Sequence, residues 1–140
     1  MEEVSDYRVT VLLDTNVFIA AYWARSSASA RLIKACIEGR VQAHYSRQVK
    51  RELVRMLRAI RIPDSYVKGL DAFWDRAKEV EAVPVDSIVV SDPDDQKFVE
   101  AAAAGGTDFL VTNDEHLLRV GYVGRTEILK PGSLCRMLGL

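Results

Sequence analysis

The chain is expected to fold as a three-layer α/β/α domain around a central parallel sheet of about five strands. Three observations point there. Short runs rich in Val, Ile and Leu alternate with segments of helical periodicity. Acidic residues recur directly after these runs, and open α/β sheets bind ligands beyond the carboxyl ends of their strands. The 140 residues, 49% apolar, contain no repeat, low-complexity tract or linker, which suits one domain spanning residues 1–140.

The elements follow in order. "RVTVLLD" (8–14) reads as a buried strand ending at Asp14, and "NVFIAAYWA" as a helix. "SSASARLIKACIEGR" has apolar residues at Ala30, Ile33 and Ile37, with Gly39 as its stop. "VQAHY" (41–45) is a second strand. Ser46 is a fitting N-cap for a helix running to about Ile62, closed by Pro63. "DSYVKGLDAFWDRAKEV" predicts one amphipathic helix, and Val83–Val90 a third strand weakened by Pro84. "DDQKFVEAAAAGG" is a helix ended by Gly105 and Gly106. "DFLVT" (108–112), the short helix "DEHLLRV", the strand "TEILK" and a helix opened by Pro131 complete the pattern.

Bulk properties narrow the function. Charged residues are 28% of the chain and nearly cancel, leaving a net charge of −1, so any nucleic-acid footprint must be local. Cys36 and Cys135 make no metal or disulfide pattern, which fits a reducing compartment. "MEEVSDYRVT" lacks a basic n-region and an apolar h-region, so no signal peptide is expected. No apolar run approaches the roughly 20 residues that span a bilayer. A soluble, cytoplasmic protein with no membrane partner is the expectation.

The acids carry the chemistry. Asp14 ends the first strand, Asp92, Asp94 and Asp95 follow the third, and Asp114 follows the fourth. Three strand ends thus deliver carboxylate to one edge of the sheet. In "SRQVKRELVRMLRAIRI", Val49, Leu53, Met56, Leu57 and Ile60 form an apolar stripe, and Arg47, Lys50, Arg51, Arg55, Arg58 and Arg61 lie opposite. Glu52, the single acid there, sits about 60° from Val49 on the helical wheel, at the edge of the stripe. Such carboxylates suit one or two hard divalent cations, Mg²⁺ or Mn²⁺. A cation of this kind activates water and neutralises a phosphodiester, and the flanking Arg47, Arg51, Arg55 and Arg58 could grip a phosphate backbone.

Plainer roles compete for the same residues. Asp92 or Ser91 could cap a helix, with Pro93 in its first turn and Asp94 and Asp95 at the positive end of its dipole. Asp14 and Asp114 stand where N-caps stand, and Glu52 could simply pair with Arg55 or Arg51. The basic stripe could be a solvated face. His44 and His116 are too separated for a catalytic pair, and Trp23, Trp74, Tyr22 and Phe73 fit core or interface positions.

Taken together, "LLDTNVFIAA", "YSRQVKREL", "DPDDQKFVEAAAAGG" and "DFLVTNDEHLL" resemble the PIN-domain ribonucleases, and within them the VapC-type toxins of toxin–antitoxin pairs. The resemblance spans about residues 10–138. Each motif alone is weak, but the ordered set is specific. It implies an endoribonuclease dependent on Mg²⁺ or Mn²⁺, with Asp14, Glu52, Asp95 and Asp114 as the acidic quartet. It also implies Asn16 and Thr112 as polar neighbours that orient ligands or water, with Asp92 an additional candidate ligand. An antitoxin partner and a homodimer are implied as well.

Two other classes remain in view. An aspartyl-nucleophile phosphatase or receiver domain would use a strand-end Asp such as Asp14. A haloacid-dehalogenase-type phosphatase needs a second Asp where Asn16 stands, and a receiver needs a late strand-end Lys, for which Lys130 is the candidate, followed by Pro131. A non-catalytic binding module on the same fold is the third class.

Overall fold

The computed structural model describes residues 8–84 and 92–140. Among them six strands form one sheet in the order β3-β2-β1-β4-β6-β5. These are β1 (Thr10–Leu13), β2 (Gln42–Tyr45), β3 (Lys78–Glu79), β4 (Phe109–Val111), β5 (Tyr122–Val123) and β6 (Thr126–Leu129). All neighbours pair in parallel except β5, which runs antiparallel to β6 at the edge. The helices are α1 (Thr15–Trp23), α2 (Ala28–Ile37), α3 (Arg47–Ala59), α4 (Asp64–Gly69), α5 (Asp71–Arg76), α6 (Pro93–Gly105), α7 (Glu115–Val120) and α8 (Pro131–Leu138). The three-layer α/β/α architecture expected from the sequence is thus present.

Alternation along the strands divides the interior into two layers. Val11, Leu13, Val111 and Leu129 point to one side, against α1, α2, α5 and α8. Leu12, Leu110 and Ile128 point to the other, against Phe98, Val99, Ala101 and Ala102 of α6 and Leu117 of α7. Helix α3 serves both: Leu53 and Leu57 join the first layer and Val49 the second. The first layer is anchored by a ring cluster in which Phe18 meets Phe73 edge-on at 5.1 Å and stacks on Trp74 at 5.9 Å. Trp74 and Phe73 are therefore core residues, whereas Trp23 is exposed. Both cysteines are free and buried.

Several helix ends match their sequence signals. The Ser27 and Ser46 side chains accept from the N–H groups of Ala30 and Val49 at 3.2 and 3.1 Å. Gly106, at φ 57°, ends α6 in the left-handed region.

Four expectations need correction. The segment read as one helix over 64–80 breaks at Leu70, which follows the weak helix former Gly69 and is itself buried in the core. Beyond it, Lys78 and Glu79 form β3 because they satisfy the open edge of β2, where the Val80 N–H donates to the Tyr45 carbonyl at 2.8 Å. Helix α3 stops at Ala59, short of Ile62. There Arg61 adopts φ 63°, and the N–H groups of Arg61 and Ile62 return to the carbonyls of Arg58 and Leu57, a Schellman turn without glycine. Finally, the hairpin β5–β6 turns at Gly124, φ 57°, and adds an antiparallel strand that the strand–helix alternation did not suggest. The strand expected over Val83–Val90 lies mostly outside the described residues; Val83 and Pro84 are not in a strand.

Candidate active site

The register fixes the centre of the site. Leu13 pairs with Val111, so Asp14 and Thr112 leave adjacent parallel strands side by side. The Asp14 N–H donates to the Val111 carbonyl at 2.9 Å, extending the pairing one residue further. Asp14 occupies the N-cap position of α1, yet its side chain makes no capping bond. Instead Asp14 Oδ2 accepts from Thr112 Oγ1 at 2.6 Å and from Asn16 Nδ2 at 3.0 Å. Thr112 Oγ1 in turn accepts from the Asp114 N–H at 2.9 Å, and Asn16 Oδ1 accepts from the Asn113 N–H at 3.1 Å. Thr112 and Asn16 thus lock the rotamer of Asp14 and join the ends of β1 and β4. Burial pushes the Asp14 carboxyl above its ordinary value, against the Thr112 bond; Asp114 adds to the rise.

Asp95 comes from the first turn of α6 and is also buried, at 8% exposure. Its carboxyl is pushed up to about 6, first by burial and then by the charges of Asp114, Asp92 and Asp14. Asp14, Asp95 and Asp114 therefore sense one another across three elements. Scattered surface charge does not produce this convergence. It concentrates negative potential where a cation would relieve it.

Capping and clustering coexist here. Asp92 caps α6, its Oδ1 accepting from the Asp94 N–H at 2.9 Å. Asp114 caps α7, its Oδ1 accepting from the His116 N–H at 2.8 Å. Asp94 faces solvent.

Glu52 reaches the cluster indirectly. On α3 it lies between exposed Arg51 and buried Leu53, and it ignores the arginines as salt-bridge partners. Its Oε2 is 2.7 Å from Lys97 Nζ of α6. That bond, ahead of all else, holds the Glu52 carboxyl below its ordinary range. Lys97 is mostly buried, donates to the Asp94 carbonyl at 2.8 Å, and its charge also acts on Asp14 and Asp95. Sequence reading missed Lys97. The signal available was a lone cation two residues after Asp95; its meeting with Glu52 depends on the packing of α3 against α6.

The donor set is all oxygen, which fits Mg²⁺ or Mn²⁺. Among the described residues, no three His, Cys, Asp or Glu side chains already converge at ligand spacing. The chemistry of the donors fits the ion, and Glu52 is paired with Lys97.

The arginines line a separate shallow hollow along α3. Arg47, Lys50, Arg51, Val54, Arg55 and Arg58 border about 500 Å³. Arg47 and Arg58 reach Glu79 and Asp64 only at 4.0 and 3.7 Å, and Arg51 and Arg55 form no salt bridge among the described residues. Lys50 lies over the ring of Trp74 at 5.2 Å. His44 is buried and bonded to Thr107 Oγ1 at 2.9 Å, and His116 is exposed beside Asp114. Lys130, the receiver-type candidate, pairs with Glu115 at 3.5 Å.

Comparison with protein families settles the lineage: the PIN-domain model matches residues 10–116. The chain belongs to the PIN-domain family. PIN domains are generally nucleases, and the cluster of this one lies at the strand ends where α/β sheets place their ligands. A comparison with curated protein sequences finds no match. Among solved structures, the PIN domain is similar to VapBC2 from Rickettsia felis bound to a DNA fragment from their promoter. The TM-score is 0.61 at 15% identity, over 87% of this chain and 98% of that one. At that identity the likeness speaks for the fold. Among the described residues, no helix is long and apolar enough to cross a membrane.

Proposed function

We propose that this PIN domain is a metal-dependent endoribonuclease and the toxin of a VapC-type toxin–antitoxin pair. The observation that carries the reading is that buried Asp14 and Asp95 lie with Asp114 within electrostatic reach of one another, at the ends of β1 and β4 and the start of α6. Asp14, Glu52, Asp95 and Asp114 would hold Mg²⁺ or Mn²⁺, with Asp92 available beside them. When bound, the ion supplies charge neutralisation and water activation for in-line displacement at phosphorus.

The chain's own residues do the rest. Thr112 and Asn16 hold Asp14 in one orientation through bonds of 2.6 and 3.0 Å. A carboxylate of the quartet takes the proton of the attacking water. Arg47, Arg51, Arg55 and Arg58 bind the phosphate backbone on the flank of α3. This division reconciles an acidic centre and a net charge of −1 with a polyanionic substrate.

The similarity to VapBC2 supports a cognate antitoxin as partner. So does a groove of about 400 Å³ between α1, α2 and α4, with Tyr22, Ile33, Ile37 and Leu70 among its lining residues. Exposed Trp23 on α1 would contribute to a homodimer. The reading implies a cytoplasmic protein.

The test is incubation of stem-loop and single-stranded RNAs with purified protein, with Mg²⁺, Mn²⁺ or chelator. Hydrolysis that needs the ion is expected. RNA left intact under every ion, at saturating protein, overturns the reading.

A further inference from the structure

Lys97 does more than hold α6 against α3. Its ammonium touches one acid of the site and acts on two others through its charge. It pairs with Glu52 at 2.7 Å across two helices, and its field reaches both Asp14 and Asp95. Its side chain is only 14% exposed, and its backbone contact to the Asp94 carbonyl at 2.8 Å fixes where the ammonium lies. Together Glu52, Gln48, Asp94 and Lys97 line a cleft of about 230 Å³ between α3 and α6. Gln48 Nε2 adds a long 3.4 Å bond to the other oxygen of Glu52.

We infer that Lys97 is a positioning residue that competes with a divalent cation for Glu52, pairing with Glu52 when no cation is bound and releasing it as one binds. The inference rests on the metal-dependent reading of the acidic site. The physical reason is the sharing of one ligand. Glu52 cannot give both its oxygens to a cation while it keeps its ion pair, and a fixed positive charge near Asp14 and Asp95 lowers the potential that draws a cation in. Cation affinity is therefore set below what the carboxylates alone would give, and the cation-free site is kept ordered.

The experiment is calorimetric titration of Mn²⁺ into the full chain, for wild type, Lys97→Met, Lys97→Arg, Glu52→Gln and the double variant Lys97→Met/Glu52→Gln. Circular dichroism establishes that each is folded, and Lys97→Gln replaces Lys97→Met if the latter is not. Lys97→Met is expected to tighten Mn²⁺ binding about fivefold to tenfold, the range that removal of one partly screened charge produces. Lys97→Arg retains the charge and the pair and binds as wild type does. Glu52→Gln costs more affinity in the Lys97→Met background than alone, because only there is Glu52 unengaged. A merely structural lysine would change stability and leave Mn²⁺ affinity where it was. Unchanged or weaker binding by folded Lys97→Met, with normal binding by wild type, overturns the competition. Absence of Mn²⁺ uptake by wild type overturns the metal reading as well.

Discussion

Asp95→Asn is expected to stabilise the cation-free protein while removing a functional group. The buried carboxyl of Asp95 is raised from 3.8 to about 6, by burial first and by Asp114, Asp92 and Asp14 next. At about 1.4 kcal/mol per unit, the rise corresponds to an upper limit of about 3 kcal/mol of destabilisation when Asp95 is ionised. Neighbouring side chains relax, so a gain of about 1–3 kcal/mol is expected from the neutral amide in chelator near pH 7. The pH dependence has a definite sign. Above about 6 the folded protein carries the whole cost of the charge. As pH falls from there towards 3.8, the folded state takes up its proton before the unfolded chain does, and the cost is relieved. The advantage of the variant must therefore shrink towards zero by about pH 4. His44 responds in the opposite direction: burial lowers its pKa, so stability falls as pH drops below 6.5. That contribution is common to both proteins and cancels in the comparison. The assay is urea denaturation of wild type and variant in chelator across this pH range. A variant no more stable than wild type near neutrality, or an advantage that persists undiminished in acid, refutes the electrostatic account. Added Mn²⁺ should reverse the order, since wild type alone keeps the full donor set.

Three further outcomes follow from particular contacts. Thr112→Val removes the donor to Asp14 and the acceptor for the Asp114 N–H in a fully buried position, and should cost about 2 kcal/mol in chemical denaturation together with most activity. Arg61→Gly should raise stability by about 1 kcal/mol, because Arg61 closes α3 at φ 63° where glycine carries no side-chain penalty; an unchanged denaturation midpoint would mean that the turn is unstrained. Reversing Arg51, Arg55 and Arg58 to Glu should weaken RNA binding in chelator and flatten its dependence on salt, whereas an unaltered slope would put the RNA path on another face.

Much of the site was legible because its acids follow the strands directly. The hydrophobic runs ending at Leu13 and Val111 placed Asp14 and Asp114 on one sheet edge, and parallel pairing of β1 with β4 brings those ends together. The caps were legible for the same local reason, since Ser46, Pro93 and Gly106 act within a turn of themselves. What escaped depends on distant partners. Lys78 and Glu79 follow a helical pattern but pair with the unfilled edge of β2, 34 positions back in each case. Thr112 was named only through a family likeness; its role comes from a bond to Asp14, 98 residues away. Lys97 was passed over because a lysine on a helix is usually solvated, and only the packing of α6 against α3 turns it inward to Glu52.

The central claim is that the buried aspartate at the end of β1 organises an ion-dependent ribonuclease site. The most direct test is RNA turnover by wild type and Asp14→Asn, purified identically and compared in Mn²⁺ and in chelator. Turnover by wild type in Mn²⁺ alone, with none from folded Asp14→Asn, is the predicted result. Turnover by Asp14→Asn equal to that of wild type would contradict it.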